Sequence, residues 1–469
     1  MIYSKYIPER ISRLMLFVFC TAVIASSSCK KVSTADTPPY IVQSEVRDSA
    51  YLKIKDIYLW TEVLPSIQDF RPRDSEDIYQ VMVKVRSFQP LDKFSFAETK
   101  EETERSSQGL ESDFGFLVKF YTSSTDLRVN YVYKTSPGSL KGVKRGWKIL
   151  KLNGRELDAS KESDLDYLSE IFFGSAASAE FTFLKPDGTM LVTKISKGVY
   201  PINTVLYTNV YNAGPRTVGY LVYNQFSGPS SVQEIILAMN SFANSGINDM
   251  IVDLRYNRGG FVSTQDTLAN MLAPQSVGRG QKEMYTYVFN ERYKNWNQTT
   301  LFYKTGSLNL NRIVFIVTPA SASASELLIN NLKPVMNVKL VGERNTFGKP
   351  VGFFPIPVFE FNIYPVSFKT VNRVGSADYY QGFPVDKITV DDLSRDFGDI
   401  DEASLKEALK YLNTGNFTAT AQKNIMSVSG ISEADLNQAN AAINQNVPKV
   451  EIENRKHKMP APIRDLQRK

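Results

Sequence analysis

The chain is poor in the side chains that carry most hydrolytic and metal chemistry. Among 469 residues there is one histidine and there are two cysteines. The histidine, His457, sits in the polar stretch Glu453–Lys458, and Cys20 and Cys29 both precede residue 30. The body therefore has no thiol nucleophile, no disulfide and no thiolate metal site. Zinc favours His and Cys ligands, so no metal site is expected, and no cofactor. A Ser–His–Asp arrangement would have to recruit His457 from surroundings with no apolar pattern. Long hydrophobic runs are missing too: Leu14–Ala25 is the longest largely apolar one at 12 residues, and a spanning helix needs about 20. The net charge is +6. Lys5, Glu9, Arg10 and Arg13 contribute +2, and the seven Lys or Arg against three acids of residues 448–469 contribute +4. The remaining body is balanced, without the basic face that nucleic-acid binding requires. With 42% hydrophobic and 22% charged residues, the composition is that of a folded chain able to build a large core.

What is present at the N-terminus is an address. A basic segment Lys5–Arg13, the apolar run Leu14–Ala25 and the small residues Ser26, Ser27 and Ser28 precede Cys29, the order of a secretory signal. The segment resembles a bacterial lipobox, although Ser26 stands where an aliphatic residue is usual. The resemblance implies a lipoprotein signal peptide over 1–28, acylation of Cys29, and a cell-envelope protein held to a membrane by lipid, periplasmic or outer-membrane associated. The plainer alternative is a secretory signal cut near Ser28. Residues 29–40 read as a tether.

The body divides by pattern. Residues 41–110 read as a helical region, with Tyr51, Ile54, Ile57 and Tyr58, then Ile78, Val81, Met82 and Val85, spaced for one helix face. Residues 111–198 read as β-rich: strands at Phe114–Phe120 and Asn130–Tyr133, a Ser-Pro-Gly turn at 136–138, a hairpin at Asn153-Gly154 and a helix at Asp164–Ile171. This stretch resembles a PDZ domain, with Trp147 where the family usually has Asp. By that resemblance Phe114, Gly115 and Phe116 form the loop that binds a peptide carboxylate. Residues 201–413 alternate strands (Val218–Tyr223, Asp249–Leu254, Arg312–Thr318, Val338–Val341) with helices (Ser231–Ala243, Thr264–Leu272, Ala324–Met336), the rhythm of a parallel α/β layer. A further amphipathic helix covers 401–413, and 414–469 is a polar tail. The fold class is thus multidomain α/β.

Three segments of the α/β part carry chemistry. Asp253-Leu254-Arg255-Tyr256-Asn257-Arg258-Gly259-Gly260 follows a buried strand, and its glycines let backbone N–H groups approach a ligand. Thr318-Pro319-Ala320-Ser321-Ala322-Ser323-Ala324-Ser325-Glu326 joins a strand to a helix, where a hydroxyl meets free N–H groups and a positive dipole end. Ser323 and Glu326 also fit a capping box, which needs no catalysis. The third is Thr346-Phe347-Gly348-Lys349-Pro350-Val351-Gly352-Phe353-Phe354. A lysine has a pKa of about 10.4 in water and must fall by roughly 3 units to act as a base near neutrality. The apolar neighbours of Lys349 suit the burial that lowers it.

Taken together and in this order, the segments resemble the C-terminal-processing, or tail-specific, serine protease family. Its members share Asp-Leu-Arg-x-Asn-x-Gly-Gly, Ser-Ala-Ser-Ala-Ser-Glu and Thr-Phe-Gly-Lys motifs behind a PDZ domain. Gly382-Phe383-Pro384-Val385-Asp386 resembles the family's Gly-Ile-x-Pro-Asp. The resemblance implies a crotonase-like (ClpP-like) protease core. It implies Ser323 as nucleophile, Lys349 as general base, and an oxyanion hole from Ala324 with Gly259 or Gly260. Ser321 and Ser325 remain rivals for the nucleophile. The serine–lysine interval is one residue longer than usual, and Phe353 stands where many members have a glutamine that orients the lysine. The implied partners are protein or peptide substrates with accessible C-termini. A catalytically weak or inactive peptide-binding lipoprotein on the same fold is the alternative, and the oligomeric state is left open.

Overall fold

The computed structural model describes residues 43–107 and 109–419. The expected signal peptide and tether, with Cys29, lie outside them, as do His457 and the tail from 420 onward.

The N-terminal part begins with helices α1 (Gln43–Ile57) and α2 (Ile78–Ser87). The periodic residues Tyr51, Ile54, Ile57, Val81, Met82 and Val85 are buried, as the spacing predicts, and Asp77 caps α2 by accepting from Gln80 N at 2.8 Å. The region is not helical throughout. Strand β1 (Phe96–Thr99) precedes helix α3 (Lys100–Ser107) and pairs antiparallel with Phe361–Tyr364. That partner lies far along the chain, so no local pattern could announce the strand.

The β-rich module is an antiparallel meander of β2 (Phe116–Phe120), β3 (Leu127–Val132), β4 (Lys148–Leu152), β5 (Ser178–Leu184) and β6 (Met190–Ser196), ordered as in the sequence. Helix α4 (Glu162–Phe173) packs against it. Phe114, Phe116, Phe172, Phe181 and Phe183 form its centre, with Phe114 edge-on to Phe181 at 5.2 Å. Trp147 is buried in the same core, edge-on to Phe183 at 5.8 Å. Asn153 and Gly154 both take positive φ, 50° and 77°, and make the expected two-residue hairpin turn.

The α/β part is built on a six-stranded sheet. Its strands are β7 (Val205–Ala213), β8 (Arg216–Tyr223), β9 (Asp249–Asp253), β10 (Arg312–Val317), β11 (Asn337–Gly342) and β12 (Lys387–Ile388). They are ordered 12-11-10-9-8-7, parallel from β8 to β12, with β7 antiparallel at the edge. Both faces are covered, so the central strands are apolar without alternation. Met250, Val252, Ile313 and Phe315 meet helices α5 (Pro229–Asn244), α6 (Val262–Leu272) and α7 (Ala324–Leu332). Ile251, Val314 and Ile316 meet α8 (Ala403–Thr414). Helix α7 stops at Leu332, short of the expected Met336. Pro334 explains the difference, because a proline ring clashes with the preceding turn and disfavours helix at the residue before it.

A buried charge network joins the β-rich module to the sheet. Arg255, 1% exposed, reaches Asp253 at 2.8 Å, Glu402 at 2.8 Å and Asp391 at 3.0 Å. Asp391 also receives Arg145 at 3.2 Å and Lys119 at 3.3 Å, both from the β-rich module. Tyr256 Oη donates to the same carboxylate at 2.7 Å. Burial alone would raise the pKa of Asp391, but Lys119, Arg145 and Arg255 hold it well below the usual carboxylate range. Its contribution to stability is therefore present above the unfolded value of about 3.9 and lost progressively as pH falls further. Replacing Arg255 with Met should destabilise the fold by about 3–5 kcal/mol, because buried carboxylates lose their counter-charge. Urea unfolding at pH 7 and at pH 3 checks this, with the difference between wild type and Arg255→Met shrinking at the lower pH.

Candidate active site

Three turns at one end of the parallel sheet meet around Ser323. The first leaves β9. Its Asn257 is fully buried and works as a hub. Asn257 Nδ2 donates to Tyr223 O at 2.9 Å, and its Oδ1 accepts from Gly259 N at 2.9 Å. Its carbonyl accepts from Ala322 N at 3.1 Å and from Ser325 Oγ at 3.0 Å. The glycine turn is thereby bonded to the serine turn. Gly259 and Gly260 have φ of 104° and 133°, a region closed to ordinary side chains. A Cβ on Gly259 would lie 2.8 Å from Ser323 Cβ and 2.9 Å from Ala324 N. Gly259 N–H is engaged by Asn257, whereas Gly260 N–H takes no partner among the described residues.

The second turn joins β10 to α7. It contains all three candidate serines, and the structure treats them differently. Ser321 and Ser325 are fully buried. Ser321 Oγ donates to Leu254 O at 2.7 Å and Ser325 Oγ to Asn257 O at 3.0 Å, so both hydroxyls brace the loop to its neighbour. Ser323 is only partly buried and has φ 55°, ψ −112°, far from the allowed basins of a non-glycine residue. Such strain costs on the order of 1–3 kcal/mol and persists only where surroundings impose it. Ala324 opens α7, where the first N–H groups lack intrahelical partners.

The third turn carries Lys349, which is 5% exposed. Val351, Phe353 and Phe354 around it are buried as expected, but Phe347 is 50% exposed. Lys349 Nζ lies 4.0 Å from the ring centroid of Phe353 and 5.5 Å from that of Phe94. The turn is braced by the Gly382–Phe383 segment: Thr346 N donates to Phe383 O at 3.1 Å and Phe383 N to Thr346 Oγ1 at 2.7 Å.

One side chain ties the second and third turns together. Glu326 is fully buried on α7. Its Oε2 accepts from Ser323 N at 3.0 Å and Lys349 N at 2.8 Å. Its Oε1 accepts from Gly348 N at 2.7 Å and Thr346 Oγ1 at 2.5 Å. Burial raises the pKa of this carboxyl, and the four donors pull it part of the way back. The capping-box pattern found Glu326, but only as a helix cap. Its second role links residues more than twenty positions away, for which sequence offers no signal. Asn257 stands in the quoted Asp253–Gly260 motif without an assigned role, and Phe94 has no such signal.

The residues expected to form a carboxylate loop lie in the β-rich module. Phe114, Gly115 and Phe116 are buried. Gly115 N–H is occupied by Asp113 Oδ1 at 2.6 Å, and that same oxygen accepts from Tyr200 Oη at 2.6 Å. Of the three amides, Gly115's is thus engaged within the chain.

Comparisons with known proteins bear on this arrangement. Residues 217–373 match Peptidase family S41. The chain is 24% identical over 322 residues to the carboxy-terminal processing protease CtpB of Bacillus subtilis (strain 168), covering 68% of this chain and 63% of that one. It is 22% identical over 354 residues to CtpA of the same organism, covering 73% and 69%. The chain thus spans under two thirds of the length of CtpB. Its fold is similar to the crystal structure of a putative S41 protease from Bacteroides fragilis NCTC 9343. That likeness has a TM-score of 0.62 at 24% identity and covers 81% of this chain and 99% of the other.

Replacing Glu326 with Gln puts an NH2 group among donors. The expected cost is about 2–4 kcal/mol, since at least one buried donor loses its acceptor. Chemical denaturation measures it, and an unchanged midpoint contradicts the bridging role.

Proposed function

Because residues 217–373 match Peptidase family S41, we propose that the chain is a serine endopeptidase that hydrolyses peptide bonds of protein substrates, with Ser323 as nucleophile and Lys349 as general base. The observation that carries this reading is the Glu326 carboxylate, which bonds the backbone of Ser323 and of Lys349 at once. A strained serine at a helix start and a buried lysine thereby share one acceptor.

The neutral amine of Lys349 accepts the Ser323 hydroxyl proton as Oγ attacks the peptide carbonyl carbon. Negative charge then develops on the carbonyl oxygen. Ala324 N–H and Gly260 N–H receive it, and a single donor of this kind contributes roughly 100- to 1000-fold in rate. Lys349 returns its proton to the leaving amine, the C–N bond breaks and an acyl-enzyme remains. A water molecule then gives its proton to Lys349 and attacks the ester, and Ser323 recovers its hydrogen. Desolvation favours the neutral amine that this cycle requires.

The β-rich module, read as PDZ-like, would take substrate C-terminal tails by strand addition along β2, the edge of its sheet. Gly115 N–H must then exchange Asp113 for the incoming carboxylate. The N-terminal segment supports an exported protein, lipid-anchored through Cys29. The substitution of the orienting glutamine by Phe353 favours a second reading, a catalytically weak or inactive peptide-binding protein.

Fluorophosphonate labelling separates the two. Label is expected on Ser323, absent in Ser323→Ala, and slowed by about 100-fold or more in Lys349→Ala. Equal labelling of wild type and Lys349→Ala contradicts the lysine base, and no labelling at all favours the binding protein. Digestion of unstructured peptides differing only at their C-termini tests tail recognition, with the rate expected to follow the terminal residues. In the native host, Cys29→Ala should abolish palmitate incorporation; retained incorporation overturns the anchor.

A further inference from the structure

The Lys349 amine lies 4.0 Å from the centre of the Phe353 ring and 5.5 Å from that of Phe94, both within the roughly 6 Å over which a ring face attracts a cation. We propose that Phe353 and Phe94 form an aromatic seat that positions the Lys349 amine and helps set the pH at which it becomes a base. The inference rests on the reading of Lys349 as base and adds two positioning residues to it, one of them from the N-terminal region.

The seat is rigid. Phe353 is 4% exposed and sits edge-on to Phe96 at 5.2 Å and to Tyr364 at 5.7 Å. Phe96 and Tyr364 stack at 4.4 Å with planes 4° apart, across the pairing of β1 with Phe361–Tyr364. Gly352, just before Phe353, packs so closely on Phe368 that a Cβ would meet its ring at 2.3 Å. On the other side, Asp92 Oδ1 accepts from Phe94 N and Ser95 N, both at 2.9 Å, and Asp92 Oδ2 accepts from Tyr58 Oη at 2.8 Å. The turn bearing Phe94 is therefore pinned to the helical region. The rings cannot be moved without moving these elements.

At this seat burial and the rings act on the amine in opposite directions. Removal from water favours its neutral form. The negative face of each ring favours the ammonium. An aliphatic side chain of similar size keeps the first effect and removes the second. The titratable and charged groups on elements packed around this seat include Glu326, Asp92, Lys93, Glu98, Tyr364, Lys369, Asp378, Tyr379 and Tyr380. Replacing either phenylalanine leaves all of them in place. Loss of the ring face should therefore lower the pH at which Lys349 deprotonates.

The experiment compares wild type, Phe353→Leu, Phe94→Leu and Lys349→Ala. For each, kcat/KM on an unstructured peptide is followed from pH 5 to pH 10, beside the rate of reductive methylation of Lys349 read by mass spectrometry. Phe353→Leu should move the rising limb and the methylation midpoint to lower pH together, by about one unit. Phe94→Leu, whose ring is more distant, should move both by less. Limbs and midpoints unmoved in both variants overturn the aromatic seat, as does a loss of rate at every pH without a shift. Methylation does not require turnover, so it decides the matter even in a slow enzyme. Phe94→Leu decides it if Phe353→Leu does not fold. If Lys349→Ala keeps full activity, the base assignment itself has failed, whatever the methylation midpoints show.

Discussion

One buried carboxylate ties the lysine turn to the start of helix α7, beside a backbone bond from Phe347 N to Ser321 O at 3.0 Å. Glu326 accepts four hydrogen bonds, one from the residue before helix α7 and three from the turn that carries Lys349. Without it, that turn would lose its direct bonds to the helix that carries the serine. The carboxylate satisfies backbone N–H groups that burial would otherwise leave costly and unmatched. In doing so it imposes the backbone of Ser323, whose φ of 55° no isolated serine would choose. Strain at one residue is sustained by bonds made at others.

A second polar cluster does comparable work one layer away. Arg255 begins the turn that ends in Gly259 and Gly260, and its guanidinium is shared among Asp253, Asp391 and Glu402. Asp391 in turn receives Lys119 and Arg145 from the β-rich module. The glycine turn is thus fastened to the sheet below it, to the start of α8 and to the neighbouring module. Charges at this depth are tolerable only when each has its partner, which makes the cluster a demanding constraint on how the module meets the sheet.

Much of the secondary structure was legible because it follows local rules. The apolar runs at 249–254 and 312–318 became central parallel strands, and Asn153-Gly154 became a two-residue turn. Pro334 shortened a helix that hydrophobic spacing alone extends to Met336. Other elements escaped because their causes are not local. Strand β1 exists through pairing with Phe361–Tyr364, and the strand Arg279–Phe289 is held between Gln298–Tyr303 and Phe368–Asn372. In such strands the pattern of side chains reflects what lies across the sheet rather than along the chain.

The sequence by itself determined which groups are available: serine and lysine without a usable histidine or cysteine, glycines after a buried strand, and a Ser-x-x-Glu at a helix start. Those are matters of composition and short spacing, which physical chemistry reads directly. Only the tertiary structure decided among them. Three serines within five residues look alike in sequence, yet two are spent on carbonyls of the adjoining turn and one is left strained and accessible. Two glycines look alike, yet one amide is taken by Asn257. The lysine turn was recognisable, but that its amine rests on a ring from the N-terminal region was not. These outcomes depend on hydrogen bonds and contacts between segments far apart in the chain, which exist only once the fold has closed.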